Sequence, residues 1–243
     1  MRFWIERSLS NFSATASCLK RSSKNKVCSL LESYCEIESD GFSDDEKSLK
    51  KEKILSHFMI VNNPTYFYFK GKGQIIFKDG TKIELIYCRP IALRSDSIED
   101  IVSVTVSCET IMTIENLTSF NRVCSENMFC RFLGGYNNSC KTKFLKKIYK
   151  DNPHKEWLHF GDIDPDGFLI LHNLRTKTGI DFKPYKMGIT ELNDLKKYCK
   201  PLEENDIVKA KSMLERQLFP EIAQFMLENN RKLEQEIISW KNR

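Results

Sequence analysis

The chain has 243 residues, of which 41% are hydrophobic and 11% aromatic, enough for one large domain or two small ones with a real core. No apolar run reaches the roughly 18 residues of a membrane span, and Met1-Arg2-Phe3-Trp4-Ile5-Glu6-Arg7 carries no apolar signal core, so membrane and secretory classes give way to a cytoplasmic one. The net charge of +5, with a pI near 8.6, permits contact with a polyanion; nine scattered cysteines without a Cys-x-x-Cys pair speak against zinc and for reduced, packed thiols.

The first stretch, residues 1–53, reads as a partly helical or linker segment. One amphipathic helix fits Cys28 to Ile37, between the basic cluster Arg21 to Lys26 and the charged run Glu38 to Lys53. Residues 54–100 read as a small β-rich unit. Thr65 to Phe69 is a strand by its aromatic and β-branched content. Lys78-Asp79-Gly80 is a hairpin signal between Gln74 to Phe77 and Thr81 to Ile86, so 65–88 is expected to be antiparallel. Ser97 to Asp100 resembles a short capped helical turn.

From residue 101 to 243 the pattern is that of an α/β domain. Strands are expected at Val102 to Val106, Ile111 to Ile114, Phe129 to Leu133 and Trp157 to Phe160, with a short one between Gly179 and Tyr185. Lys141 to Lys150 is a basic amphipathic helix whose apolar side is Phe144, Leu145 and Ile148. Further helices are expected after Pro165 and near 190–199, 203–215 and 217–239. Strands alternating with helices imply a largely parallel sheet with helices on both faces. Met187 and Trp240 read as packing residues and His159 as a packed core histidine.

The chemistry concentrates where Phe160-Gly161-Asp162-Ile163-Asp164-Pro165-Asp166-Gly167 follows a strand. Pro165 suits a first helical turn, so the order is strand, acidic turn, helix. A solvated acidic turn is one reading. A calcium loop is a second, but position 12 of that pattern is Asn173 rather than Glu, and a strand precedes it. The third is a catalytic metal site, which needs another carboxylate. Glu115 supplies one, because it follows the apolar strand Ile111 to Ile114. In a parallel sheet both strand ends share one edge, where such folds bind ligands. Glu115, Asp162 and Asp164 would then form an oxygen cage for one or two Mg²⁺ (or Mn²⁺) ions.

Thr113-Ile114-Glu115-Asn116-Leu117-Thr118-Ser119-Phe120, then Gly134-Gly135-Tyr136, then the acidic turn, look like a Toprim domain. More closely they resemble the C-terminal domain of JetD, the nuclease subunit of Wadjet anti-plasmid systems, over about residues 55 to 240. Leu233-Glu234-Gln235-Glu236 is similar to that family's terminal motif. The resemblance implies a metal-dependent DNA endonuclease in which Glu115, Asp162 and Asp164 are catalytic metal ligands, with Glu236 a further candidate and Asp166 outside the ligand set. It implies double-stranded DNA as substrate, a homodimer, and a condensin-like JetABC complex as partner. Lys141, Lys143, Lys146 and Lys147 are candidate DNA contacts, and Gly134-Gly135 either brings backbone close to the site or is a plain turn.

JetD-like proteins carry a winged-helix region before this part, and the roughly 50 residues here are too few for it. No residue matches the nucleophilic tyrosine of topoisomerase-VI-like relatives, so hydrolysis by metal-activated water is expected. Two other functions stand beside this one: a non-catalytic Toprim-like DNA- or partner-binding module, and a haloacid-dehalogenase-like phosphohydrolase, whose pattern puts Thr or Val where Asp166 stands.

Overall fold

The computed structural model describes residues 29–30, 65–134 and 139–241. The chain divides into two units, Met1–Thr65 and Tyr66–Arg243. In the first, Ser29 and Leu30 are helical. The remainder of the helix expected over 28–37, the basic cluster, the charged run and residues 54–64 lie outside the described residues, as do Gly135 and Tyr136.

The second unit holds two sheets. Its strands are β1 (Tyr66–Lys70), β2 (Gly73–Phe77), β3 (Lys82–Leu85), β4 (Ile91–Arg94), β5 (Ile101–Val106), β6 (Thr110–Ile114), β7 (Met128–Phe132), β8 (Glu156–Phe160) and β9 (Lys183–Pro184). The larger sheet has the order β4-β1-β7-β6-β8-β9. Within it β7, β6, β8 and β9 run parallel, while β1 is antiparallel to both its neighbours. The smaller sheet, β3-β2-β5, is antiparallel.

Two expectations change here. The block 65–88 does not form one antiparallel unit, because β1 joins the larger sheet and only β2 and β3 form the hairpin. The strand at 102–106, expected to open the α/β run, pairs with β2 instead. Its composition explains this. Val102 and Thr105 are exposed between the buried Ile101, Val104 and Val106, and a half-solvated strand suits an antiparallel sheet. The parallel strands β6 and β8 bury almost every residue, as central strands do.

The helices are α1 (Leu117–Arg122), α2 (Ser139–Asp151), α3 (Pro165–Thr178), α4 (Ile189–Asp194), α5 (Glu204–Glu215), α6 (Pro220–Asn229) and α7 (Gln235–Lys241). Together with the strands they give an α/β architecture, a mostly parallel mixed sheet flanked by helices beside a small antiparallel sheet. Alternate strand residues feed two cores. Ile111 and Trp157 pack with Phe144, Leu145 and Ile148 of α2 and with Val104 of the small sheet. Met112, Ile114, Leu158 and Phe160 pack with Phe120 of α1, Met213, Met226 and Ile238. None of the described helices is long and apolar enough to cross a membrane.

The helix expected over 217–239 is broken. Gln217 and Phe219 take positive φ before α6, and Asn230 ends it in the left-handed conformation at φ 47°, ψ 56°. Asn tolerates that conformation better than most residues, which makes it a frequent helix stop. The chain after it runs extended, pairing Lys232 with Lys200 and Leu233 with Ile163 before α7 begins.

Cys88 and Cys124 are joined as a disulfide with Cα atoms 5.7 Å apart, which corrects the reading of every cysteine as reduced. Spacing could not reveal it, since the folded sheet is what brings loops 36 residues apart together. Cys108 and Cys130 are free and buried. Trp240 is corrected too: it is 56% exposed, because α7 turns Ile238 and Ser239 inward instead.

Candidate metal centre

Three chain segments meet at the carboxyl edge of the parallel strands. Glu115 follows β6 and Asp162 follows β8, and the strands are held level there by Glu115 N donating to Phe160 O at 3.0 Å. The third segment is the extended stretch behind Asn230. Its Leu233 exchanges two backbone hydrogen bonds with Ile163, at 2.8 and 3.0 Å. That pairing sets Glu234, Gln235 and Glu236 against the acidic turn. Carboxylate oxygens of Asp162, Glu234 and Glu236 all lie within 4.8 Å of one another.

Gln235 ties the segments together. Fully buried, it accepts from Asn116 N at 2.9 Å and donates through Nε2 to Phe160 O at 2.8 Å. Its backbone N donates to Asp162 Oδ1 at 2.7 Å. Asn116 caps α1 by accepting from Thr118 N and Ser119 N, while its Nδ2 donates to Glu236 Oε1. Asp164 has a different commitment. It caps α3 by accepting from Gly167 N at 2.7 Å, so the two carboxylates of Asp-x-Asp are held by different segments.

The electrostatics are those of crowded acids. Burial, then the charges of Asp162, Asp164, Asp166 and Glu236, push the Glu115 carboxyl up to about 8. Burial likewise raises Asp162 to about 6, against the opposing hydrogen bond from Gln235. Asp164 is raised for the same first reason. Glu234 pairs with Lys200 at 2.8 Å. Oε2 of Glu115 and Oε2 of Glu236 are buried and accept no hydrogen bond. Buried carboxylate oxygens without a donor are costly. A hard divalent cation is the partner that a set of clustered oxygen ligands fits.

The basic candidates separate. Lys141 donates to Gly134 O at 2.9 Å, and Gly134 N donates to Glu115 O at 3.2 Å, so this lysine stands at the rim of the acidic cluster. Burial and the charge of Arg131 lower it to about 8. Gly134 itself takes φ +63° and brings backbone to the site. Lys143 pairs with Glu99 at 3.1 Å, Lys147 donates to Ile101 O at 2.7 Å, and Lys146 is exposed. Asp166 pairs with Lys209 at 2.6 Å. The calcium-loop reading lapses, since β8 precedes the loop where that motif needs a helix.

Glu234 and Gln235 escaped the sequence reading as site residues. Their motif was visible, but it sat inside an expected helix. Asn229-Asn230 before Arg231-Lys232 was the available sign of a break.

A pH prediction arises from these carboxyls. A group whose pKa is raised on folding keeps a proton that the unfolded chain has already released. The cation-free protein is therefore expected to hold the Glu115 contribution fully below about 4.5 and to lose it as pH rises through about 8. Glu115→Gln should flatten that decline. Each tenfold in proton affinity is worth about 1.4 kcal/mol, which moves the Tm of a domain this size by about 3–6 °C. Thermal melts in chelator between about pH 5 and pH 9 check this. Parallel curves for wild type and Glu115→Gln would contradict it.

The family described as "Wadjet protein JetD, C-terminal" matches residues 88–243, a span running from before Glu115 to beyond Glu236. The chain belongs to the JetD C-terminal family. A curated relative, the Wadjet protein JetD of Bacillus cereus (strain Q1), is 27% identical over 223 residues, covering 88% of this chain. The chain spans about half of that relative, 52% of its length. The family match thus includes every segment that contributes a carboxylate to the cluster.

Proposed function

We propose that this chain is a metal-dependent DNA endonuclease of JetD type, built on a Toprim variant and acting in a Wadjet anti-plasmid system. The observation that carries this reading is the convergence of Asp162, Glu234 and Glu236, with Glu115 beside them, inside a JetD C-terminal match. Asp162, Glu236 and Glu115 are the residues to hold Mg²⁺ or Mn²⁺, with Glu234 as a further ligand that must give up Lys200. Such an ion neutralises charge at a phosphodiester and makes a nucleophilic water more acidic. Glu115, whose carboxyl is pushed up to about 8, would have to give up its proton to hold such an ion, so binding would release protons near neutral pH. Lys141, whose Nζ donates to Gly134 O at the rim, would meet a phosphate there. Gln235 keeps the ligand segments in register, and Asp164, which caps α3 through Gly167 N, stays a candidate ligand beside Asp162. Double-stranded DNA is the substrate class, and a homodimer pairs two such sites for cutting both strands. A condensin-like JetABC complex is the partner that the family resemblance supplies.

The test is plasmid DNA incubated with the full chain and Mg²⁺ or Mn²⁺, beside a chromogenic phosphate monoester. Nicked or linear plasmid with chelator-sensitive kinetics is expected, and no monoester turnover. Monoester hydrolysis without plasmid cleavage would favour the phosphohydrolase reading. Plasmid binding with no cleavage under any cation, with or without partner proteins, would favour a non-catalytic binding module. Sedimentation showing monomer alone, with and without DNA, would count against the homodimer.

A further inference from the structure

Behind the acidic cluster lies a row of fully buried polar side chains. Thr113 of β6 sits in register with Arg131 of β7 on one side and His159 of β8 on the other, all at 0% exposure. Polar groups at the centre of a sheet oppose folding, so their presence asks for a reason. Arg131 packs between the rings of Phe67 and Phe144 at 5.3 and 5.8 Å, though its three guanidinium nitrogens are buried without a hydrogen-bond partner. His159 has no ring contact of that kind among the described residues. Its Nδ1 lies 2.9 Å from Thr113 Oγ1, while its Nε2 is buried with no hydrogen-bond partner. The nearest acidic atom is Glu115 Oε2, 4.0 Å away and equally without a partner.

The space between these two atoms is kept open by Gly161. A Cβ on that residue would lie 2.7 Å from Glu115 Oε2 and 3.0 Å from His159 Nε2, closer than side chains pack. Any other residue there would wedge the pair apart. The separation of 4.0 Å is beyond a hydrogen bond, so the pair forms one only when the Glu115 side chain turns towards the ring.

The tautomer is set on the other side of the ring. Thr113 has one hydroxyl proton and two acceptors in reach, His159 Nδ1 at 2.9 Å and Leu158 O at 3.3 Å. The shorter contact is the better bond. With the hydroxyl proton on Nδ1, the ring's own proton stands on Nε2, facing Glu115; with it on Leu158 O, Nδ1 carries the ring proton and donates to Thr113 Oγ1.

We infer that His159 is a positioning residue for Glu115: Thr113 fixes its tautomer, and its Nε2–H donates to Glu115 Oε2, leaving the other carboxylate oxygen for the cation. The role of the cation here rests on the metal-centre reading above; the imidazole–carboxylate pair rests on geometry alone. Carboxylates that bind metals are commonly held by such partners, whose loss weakens metal affinity.

Two measurements on the full chain separate the pair from the metal. The first is the ring nitrogen spectrum of ¹⁵N-histidine-labelled, cation-free protein in the alkaline range, where Glu115 is ionised. The chain has four histidines, and the spectrum of His159→Gln identifies the signal of His159. A proton on Nε2 and a bare Nδ1 are expected; a proton on Nδ1 with bare Nε2 overturns the inference. The second is Mn²⁺ titration. His159→Phe should weaken binding about 10–100-fold, whereas His159→Gln, whose side-chain N–H stands where Nε2–H stood, should recover most of it. Equal affinity of His159→Phe and wild type overturns the positioning role. If wild type binds no Mn²⁺, the metal reading falls, and the ring spectrum alone decides the pair. If His159→Phe does not fold, the Gln variant and the ring spectrum remain decisive.

Discussion

Asp162→Asn is expected to abolish cation binding and to lower plasmid cleavage by at least about 100-fold, the scale seen when one group aligned on a charged transition state is removed. The substitution is chosen to leave the fold alone. Asp162 Oδ1 accepts from Gln235 N, and an Asn oxygen can accept the same bond. What disappears is one negative charge from a cluster whose members already repel. The cation-free Tm should therefore hold or rise, while Mn²⁺ no longer raises it. DNA affinity should hold or increase slightly, since basic residues dominate it and one repulsive charge is gone. Glu236→Gln and Glu115→Gln should behave alike. Asp164→Asn is the informative contrast, because Asn also caps helices and α3 will keep its start. Its cleavage rate measures what the Asp164 charge itself contributes. Asp166→Ala, which loses the Lys209 pair, should stay substantially active. Wild-type cleavage by the Asp162 variant would end the site assignment.

Gln235→Met should be the most destabilising single change at the site. Met matches Gln in length but neither donates nor accepts comparably. The change strands Asn116 N–H, which has the buried Gln235 Oε1 as its acceptor in a half-buried setting. It also removes the Nε2 bond to Phe160 O, though that carbonyl keeps Glu115 N. A stranded donor and a lost buried bond together cost about 2–4 kcal/mol, so the Tm should drop by about 5–15 °C. Mn²⁺ affinity should fall with it, because the ends of β6 and β8 carry Glu115 and Asp162. Melting and titration on the same sample read both. An unchanged Tm would mean that the clamp is not formed.

Much of the architecture was legible because local pattern and global fold agree. Apolar runs of β-branched and aromatic residues marked β6, β7 and β8, and Pro165 marked the start of α3, as the structure bears out. The order strand, acid, helix was enough to set Glu115 and Asp162 at one edge. Glu234 and Gln235 were not legible as parts of the site. They depend on one residue, Asn230, adopting a backbone conformation that periodicity does not report. The partition of 65–106 between two sheets was hidden for a related reason. Strand patterns tell which face is wet but not which neighbour a strand takes. The Cys88–Cys124 link depends on that same neighbour choice.

The break at Asn230 also bears on the order in which the molecule comes into being. Asn116 and Gln235, the two residues whose contact closes the cluster, are 119 positions apart in sequence. Closing so long a loop comes late, because its entropy must be met before its contacts form. A nascent chain growing from its N-terminus has β6, β8 and α3 in hand well before Leu233 emerges. Until then Asp162 lacks its hydrogen bond from Gln235 and the two late glutamates are absent. A chain interrupted anywhere in that interval would present a sheet and an acidic loop but no assembled cage. Cutting competence, on this reading, is the last property the polypeptide acquires.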